Sequence, residues 1–170
     1  MRCAWSRAHA AWVGNADASE PPKAGFAAFG LPRRFMGGGH QTGWVSAMMF
    51  SGQCLCGQVK VSVRGRPLRV GICHCTDCRR ESGSAFTFYA VWPVDQFEHI
   101  GETAEFQGQR FCLRCGSHLF SADDREAEIK LGILSEAPTP LVPTYELWIK
   151  RREPWLRPID GAEQYEEDRK

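Results

Sequence analysis

The sequence predicts a mainly β domain with short helical turns, and three observations lead to that class. Apolar and polar residues alternate from about residue 48 onward, turn residues separate the alternating runs, and seven of the eight cysteines fall in three tight clusters. Period-two alternation of β-branched and aromatic residues is typical of strands that bury one face.

Five runs carry the alternation, and "RGRP", "EHIGE" and "EAPTPLVP" are the predicted turns between them. The second of these turns contains His99. The segment "TDCRRESG" predicts a short helix with Thr76 as its N-cap and Gly83 as its stop. The predicted same-face sets are Val59, Val61 and Val63; Leu68, Val70 and Ile72; Phe86, Phe88, Ala90 and Trp92; Ile129, Leu131 and Ile133; and Tyr145, Leu147 and Ile149.

Composition divides the chain near Met48. Residues 1–47 hold seven of the 17 glycines and show no sustained helical or strand period. We therefore expect residues 1–47 to be a disordered or non-native N-terminal extension, with Cys3 as a bystander. Residues 48–170 are expected to form one zinc-binding domain, for the reasons that follow.

Charge and hydropathy exclude several classes of partner. The 170-residue chain has a net charge of +1, and residues 48–170 have 16 basic and 18 acidic side chains, so a nucleic-acid-binding surface is not expected. No run approaches the roughly 18 apolar residues of a membrane span. The N-terminus lacks an apolar signal region, and clustered thiols indicate a reducing compartment, so a cytoplasmic location is expected.

Two cysteine pairs, in "QCLCGQV" and "FCLRCGSHLF", are each followed directly by glycine. If Cys54 to Cys56 is extended, its two thiols fall on the same side. A glycine with positive φ after the second cysteine suits a metal-binding turn. The pattern predicts one closed structural zinc site, with two disulfides or free buried thiols as the alternative. Its ligands would be Cys54, Cys56, Cys112 and Cys115.

Cys73, Cys75 and Cys78 remain as a set of three. The end of a strand would bring the first two together, and the start of the helix would present Cys78. The helix N-terminus and the adjacent Arg79 and Arg80 are expected to lower the thiol pKa values. A zinc held by three thiolates with one open position is typical of a catalytic or ligand-accepting site.

Two histidines are alternative fourth ligands. His74 lies between two cysteines of an extended segment, so its side chain is expected to face away from them and to form hydrogen bonds or meet solvent. His118 follows Cys115 by three residues, and the alternative is that it is a surface or core-edge histidine in a strand.

The segments "SGQCLCGQVKVSV", "CHCTDCRRESGSAF" and "RFCLRCGSHLF", in this order, resemble the glutathione-dependent formaldehyde-activating enzyme family, whose wider group includes centromere protein V-like proteins. The closing "PTYELWIKRREPWLRPIDG" resembles that family's C-terminal signature. The resemblance covers roughly residues 52–165. It implies a β-tent zinc-binding fold with short helical turns.

The resemblance also implies two Zn²⁺ per chain: a structural zinc on the four-cysteine set and a catalytic zinc on Cys73, Cys75 and Cys78. The implied activity is that of a carbon–sulfur lyase which forms S-(hydroxymethyl)glutathione from glutathione and formaldehyde. Arg79 and Arg80 could hold the carboxylates of the thiol substrate. The competing interpretation is a non-enzymatic zinc-binding module for protein or nucleic-acid interaction, in which both zincs are structural.

Overall fold

The computed structural model describes residues 48–169, so the predicted extension at residues 1–47, including Cys3, lies outside the described part of the chain. Within residues 48–169 the chain forms eleven strands and one α-helix, α1 (Thr76–Ser82), which confirms the mainly β class. The strands are β1 (Met49–Gln53), β2 (Lys60–Arg64), β3 (Arg69–Cys73), β4 (Thr87–Pro93), β5 (Phe97–Ile100), β6 (Thr103–Phe106), β7 (Gln109–Cys112), β8 (His118–Ala122), β9 (Glu126–Lys130), β10 (Tyr145–Leu147) and β11 (Glu163–Gln164).

The strands form two sheets. The small sheet has the order β1-β2-β5, and the large one has the order β11-β10-β3-β4-β9-β8-β7-β6. Most neighbours are antiparallel, but β10 runs parallel to both β3 and β11. A single bridge between Gly52 and Leu134 links β1 to the segment that follows β9.

The small sheet shows the predicted alternation. Along β2, Val61 and Val63 are buried while Lys60 and Arg64 are exposed, because successive side chains of a strand point to opposite faces. These valines pack into the main core against residues of the large sheet such as Trp92. The two sheets therefore share one apolar interior.

The central strands of the large sheet are buried on both faces, whereas the sequence predicted one buried face. On β4, both Tyr89 and Val91 on one side and Ala90 and Trp92 on the other are buried. The main core covers one face, and a second cluster that includes Tyr145 covers the other. A strand covered on both sides loses the polar alternation that marks a half-buried strand.

Some predicted strand positions are wrong. Leu68 precedes β3 and is exposed, and the strand predicted through Ile133 ends at Lys130, where residues 131–133 form a 3-10 turn. Ile149 likewise begins a 3-10 turn after β10. His99 lies on β5 rather than in a turn. Period two alone cannot distinguish a strand from a short turn that continues its apolar face.

None of the helices described between residues 48 and 169 is both long and apolar enough to cross a membrane.

Candidate metal centres

Four cysteine sulfurs from two distant turns converge on one point, and we call them the first cysteine cluster. Cys56 Sγ lies 3.4 Å from Cys54 Sγ and 3.7 Å from Cys112 Sγ. Zinc–sulfur bonds of about 2.3 Å in a tetrahedron place the sulfurs roughly 3.8 Å apart, so the spacing fits a bound zinc. The members, whose sulfurs all lie within 4.8 Å of one another, are Cys54, Cys56, Cys112 and Cys115.

Two similar turns build this cluster. The Gly57 amide donates to the Cys54 carbonyl over 3.0 Å, and the Gly116 amide donates to the Cys112 carbonyl over 2.9 Å. Both glycines have positive φ, +76° and +70°, as predicted, since a side chain is strained there. The expected extended segment from Cys54 to Cys56 is wrong, because β1 ends at Gln53 and a tight turn brings the two sulfurs together.

Hydrogen bonds hold the sulfurs in place. The Val59 amide donates to Cys54 Sγ over 3.2 Å. Ser117 joins the two turns, because its Oγ accepts from the Leu55 amide at 3.0 Å and lies 3.3 Å from Cys115 Sγ. The turns are therefore linked to each other by a side chain as well as by the convergence of the sulfurs.

Neighbouring groups move two thiol pKa values of this cluster in opposite directions. A hydrogen bond from the Gln58 backbone lowers the pKa of Cys56, but burial and the adjacent sulfurs together outweigh it and raise the pKa to about 11. Burial raises the pKa of Cys115, but hydrogen bonds from Ser117 outweigh it and bring the pKa to about 6. Crowded sulfurs cannot all ionise without a cation, so proton release and metal binding are linked here.

The second cysteine cluster, Cys73, Cys75 and Cys78, forms where β3 ends and α1 begins, and its three sulfurs also lie within 4.8 Å of one another. The Cys75 amide donates to Cys73 Sγ, and the Cys78 amide donates to Cys75 Sγ, each over 3.4 Å. Cys75 is thus the N-cap of α1, whereas the sequence predicted Thr76. Gly83 ends the helix with φ +60°, as predicted.

The expected lowering of the thiol pKa values is wrong for two of the three cysteines. Burial raises the pKa of Cys75, and hydrogen bonding to Cys73 together with burial raises that of Cys78. The arginines of α1 do not offset this effect. Arg79 pairs with Glu153, and Arg80 is exposed.

His74 lies outside both cysteine clusters. The side chain is 1% exposed, and its Nε2 is 3.0 Å from Glu146 Oε2, while Nδ1 is 3.4 Å from the Ala85 carbonyl oxygen. The expectation that His74 faces away from its neighbouring cysteines and forms hydrogen bonds agrees with this geometry. The solvent-facing alternative is wrong.

Glu146 is a residue that sequence reasoning missed. It is fully buried on β10, where its Oε1 accepts from the Ile159 amide at 2.5 Å and from Gln164 Nε2 at 3.0 Å, and Arg152 lies 3.3 Å from Oε2. Burial raises the pKa of this carboxyl, but the donors around it lower the pKa below its usual range. A lone glutamate in the apolar "TYELW" was the available signal, since a buried carboxylate needs partners.

The donor sets fit metal binding. All seven cysteines in the described part of the chain are free thiols. Thiolate sulfur is a preferred ligand of zinc, and the two clusters supply four and three such donors. Both clusters could therefore hold a metal ion, and both are consistent with zinc.

Comparison with known proteins gives the family. Residues 49–151 match the family model described as "Glutathione-dependent formaldehyde-activating enzyme". The chain belongs to the glutathione-dependent formaldehyde-activating enzyme family. Family membership supports an enzymatic role related to glutathione and formaldehyde.

Two further comparisons add little. No curated protein matches the chain. Among solved structures, a crystal structure of a Rhodobacter sphaeroides protein from a structural genomics programme matches with 22% sequence identity and a TM-score of 0.41. The match covers 53% of this chain and 91% of that one.

Within this member of the glutathione-dependent formaldehyde-activating enzyme family, aromatic side chains surround the second cysteine cluster. Cys73 packs in one apolar group with the aromatic residues of β4 and β10, and the other two cysteines lie at its edge. The hydroxyl of Tyr145 donates to that of Tyr89 over 3.1 Å inside the group. We call the aromatic members of this group the aromatic wall; they are Tyr89, Tyr145, Trp148 and Tyr165.

A basic cleft of about 560 Å³ lies beside the start of α1, and we call it the arginine cleft. The guanidinium of Arg79 already has partners within the protein, because it pairs with Glu153 and donates to the Arg151 carbonyl over 2.8 Å. Arg80 is exposed, so its guanidinium is available to a ligand. The cleft is lined by Thr76, Arg79, Arg80, Ser84 and Arg151.

Proposed function

We propose that this protein is a zinc-dependent carbon–sulfur lyase that forms and cleaves the adduct of a thiol and an aldehyde, resembling S-(hydroxymethyl)glutathione synthase. One observation carries the proposal. A cluster of three cysteine sulfurs, one fewer than the structural set, lies beside a basic cleft in a chain that belongs to the formaldehyde-activating family. Three protein ligands are typical of catalytic zinc sites, and four are typical of structural ones.

The two cysteine clusters would each bind one zinc, and the two zincs would have different roles. The first cluster would hold a structural zinc between its two turns. The second would hold the catalytic zinc, which when bound would stabilise the substrate thiol as its thiolate. The aromatic wall around Cys73 would limit water at the reacting sulfur and carbon.

The arginine cleft would bind the carboxylates of a thiol such as glutathione. Arg80 and Arg151 are exposed and line the cleft, and guanidinium groups form paired hydrogen bonds with carboxylates. Arg79 would contribute by holding α1 against Arg151 and Glu153, which fixes the cleft next to the second cluster. Since free thiolates are maintained in a reducing compartment, we place the reaction in the cytoplasm.

Exchange spectroscopy tests the proposal. Glutathione and formaldehyde form their adduct spontaneously, so the readout is the NMR exchange rate between free and adduct forms with and without the zinc-loaded protein. We expect acceleration by the wild type and loss of that acceleration in Cys75→Ser. A wild-type protein with two zincs and no acceleration would contradict the proposed reaction.

Substrate binding has its own test. Arg80→Gln should raise KM for glutathione several-fold, since it removes a charge-assisted contact, and should leave kcat close to that of the wild type. Arg125→Gln is the matched control, because Arg125 is exposed and lies outside the lining of the arginine cleft. Equal KM values in the two variants would remove Arg80 from the site.

A further inference from the structure

A second cleft, of about 510 Å³, lies between the end of α1 and the turn after Cys115. Its walls are mostly apolar, but its lining also holds the Cys115 thiol of the first cluster and three ionisable side chains that the proposed function does not use. We call it the histidine cleft. The residues that matter here are Glu81, Phe86, Phe88, His118, Lys130 and Ile133.

The ionisable residues form one connected group. Lys130 is 9% exposed, and its Nζ lies 3.2 Å from Glu81 Oε1 and 2.8 Å from Glu128 Oε1. The same Glu81 oxygen is 3.3 Å from His118 Nδ1. Among the described residues, neither Glu81 Oε1 nor His118 Nδ1 makes a well-aligned hydrogen bond, although both atoms are buried. Catalytic hydrogen bonds are often loose before substrate binds.

This geometry orients the imidazole of His118. A carboxylate facing Nδ1 favours the tautomer that carries its proton there, which leaves Nε2 as a base. The ring is 39% exposed and lines the cleft, although Nδ1 itself is buried. Lys130 lies between two carboxylates, so its ammonium group would hold the Glu81 carboxylate in place.

We propose that His118 is the proton-transfer residue of the thiol–aldehyde reaction and that Glu81 positions it. This inference rests on the proposed function. Two features place the dyad near the second cysteine cluster: Glu81 is on α1 one turn after Cys78, and side chains three residues apart share a helix face. Ser84 lines both the histidine cleft and the arginine cleft, so the two clefts meet.

The proton balance closes within the dyad. In the forward direction, Nε2 of His118 accepts the proton of the substrate thiol, and the sulfur electron pair forms the bond to the aldehyde carbon. The carbon–oxygen π pair moves to oxygen, which then takes the same proton from Nε2. The product is the hydroxymethyl thioether. The proton moves only between the substrates and His118, and His118 returns to its starting protonation state.

Replacement of His118 tests its role. In the NMR exchange assay, we expect His118→Gln to lower kcat about 100-fold or more with little change in KM, because general acid–base catalysis contributes about 10²–10⁴-fold. Added imidazole should restore part of the rate to His118→Ala. His99→Gln, on β5 of the small sheet, is the matched control and should behave as wild type. A His118→Gln variant that retains two zincs and at least half of the wild-type kcat would overturn the proposal.

A matched pair of glutamates tests positioning. Glu81→Gln and Glu128→Gln each remove a carboxylate from Lys130, but Glu81 is the partner of His118. The ¹⁵N shifts of the His118 ring should report an Nδ1-protonated tautomer in wild type and in Glu128→Gln, and a loss of that preference in Glu81→Gln. An Nε2-protonated ring in wild type would overturn the positioning role.

The two failures are distinguishable. If the wild type does not accelerate adduct formation, the proposed reaction fails, and the role of His118 in it fails too. If the wild type is active and His118→Gln is equally active, the reaction stands and only the dyad is wrong.

Discussion

The two cysteine clusters use the same ligand chemistry but are built from the chain in different ways. The first joins segments about 56 residues apart, from the end of β1 and the turn after β7. The second takes its three sulfurs from one stretch of six residues, 73–78. A ligand set that spans distant segments couples metal binding to tertiary folding, whereas a local set depends on the rest of the fold to hold its backbone.

The surroundings of the two cysteine clusters also differ. The first cluster is tied by backbone turns and by Ser117, and its cysteines pack against the main core between the sheets. The second lies against the aromatic wall, and His74, between two of its cysteines in the chain, forms a buried pair with Glu146. We therefore expect the first cluster to control whether the domain folds and the second to control activity.

The largest expected effect is from Cys112→Ser, which should unfold the domain. Structural zinc contributes about 10–16 kcal/mol of apparent binding energy, which matches or exceeds the 5–15 kcal/mol stability of most domains. Circular dichroism and metal analysis would show loss of the folded spectrum and of both zincs from a wild-type content of two per chain.

Cys75→Ser is the matched variant in the second cluster. We expect a folded protein with one zinc and no catalysis of adduct exchange. If Cys75→Ser unfolds the chain as completely as Cys112→Ser does, the second cluster is structural too, and the contrast between the clusters is wrong. A wild type that binds a single zinc would also contradict the two-site arrangement.

The next effect concerns the support of the second cluster. Glu146→Gln should lower the free energy of unfolding by about 3–5 kcal/mol, because it leaves buried donors facing a neutral amide. It should also weaken the zinc of the second cluster without affecting the first. Glu102→Gln, at an exposed position between β5 and β6, is the control for thermal melts and for stepwise zinc release to a chelator.

Acid should reduce this contribution in a defined direction. Because the pKa of Glu146 is lower in the folded chain than its ordinary value of 4.5, its stabilisation is present above that value and is lost as pH falls through the folded pKa. The difference in unfolding free energy between wild type and Glu146→Gln should therefore stay level from about pH 7 to about pH 5. A difference that shrinks steadily across that window would mean that the carboxyl titrates near neutrality.

Sequence spacing was sufficient for the second cysteine cluster, for the two cysteine pairs of the first, and for the positive φ of Gly57 and Gly116, because these depend on residues close together in the chain. The joining of the two pairs across about 56 residues was predicted from the glycine that follows each pair. The short helix and its end at Gly83 were predicted for the same reason. Alternation predicted β2 of the small sheet, but most of β5 lies in the segment "EHIGE" that was predicted as a turn. Alternation also did not indicate that β3 and β4 are covered on both faces. The β-tent arrangement stays a prediction from the family resemblance.

Polar pairs between residues far apart in the chain could not be predicted from the sequence. Glu146 meets His74 across 72 residues, through the parallel pairing of β10 with β3. Glu81 meets His118 because the end of α1 and the start of β8 both border the histidine cleft. No local pattern encodes these contacts, since each arises from how distant elements pack.

The smallest expected effect returns to the first cluster. Ser117→Ala removes the hydroxyl that accepts from the Leu55 amide and lies beside Cys115 Sγ. Leu55 is 80% exposed, so water can replace the lost acceptor, and the free energy of unfolding should fall by about 1 kcal/mol. Ser121→Ala, on β8 away from the cluster, is the control. Competition with a metallochromic chelator should show weaker zinc binding at the first cluster and unchanged binding at the second. If the second zinc leaves more readily instead, the two clusters are coupled through the turn after Cys115, and their separation into folding and catalytic roles does not hold.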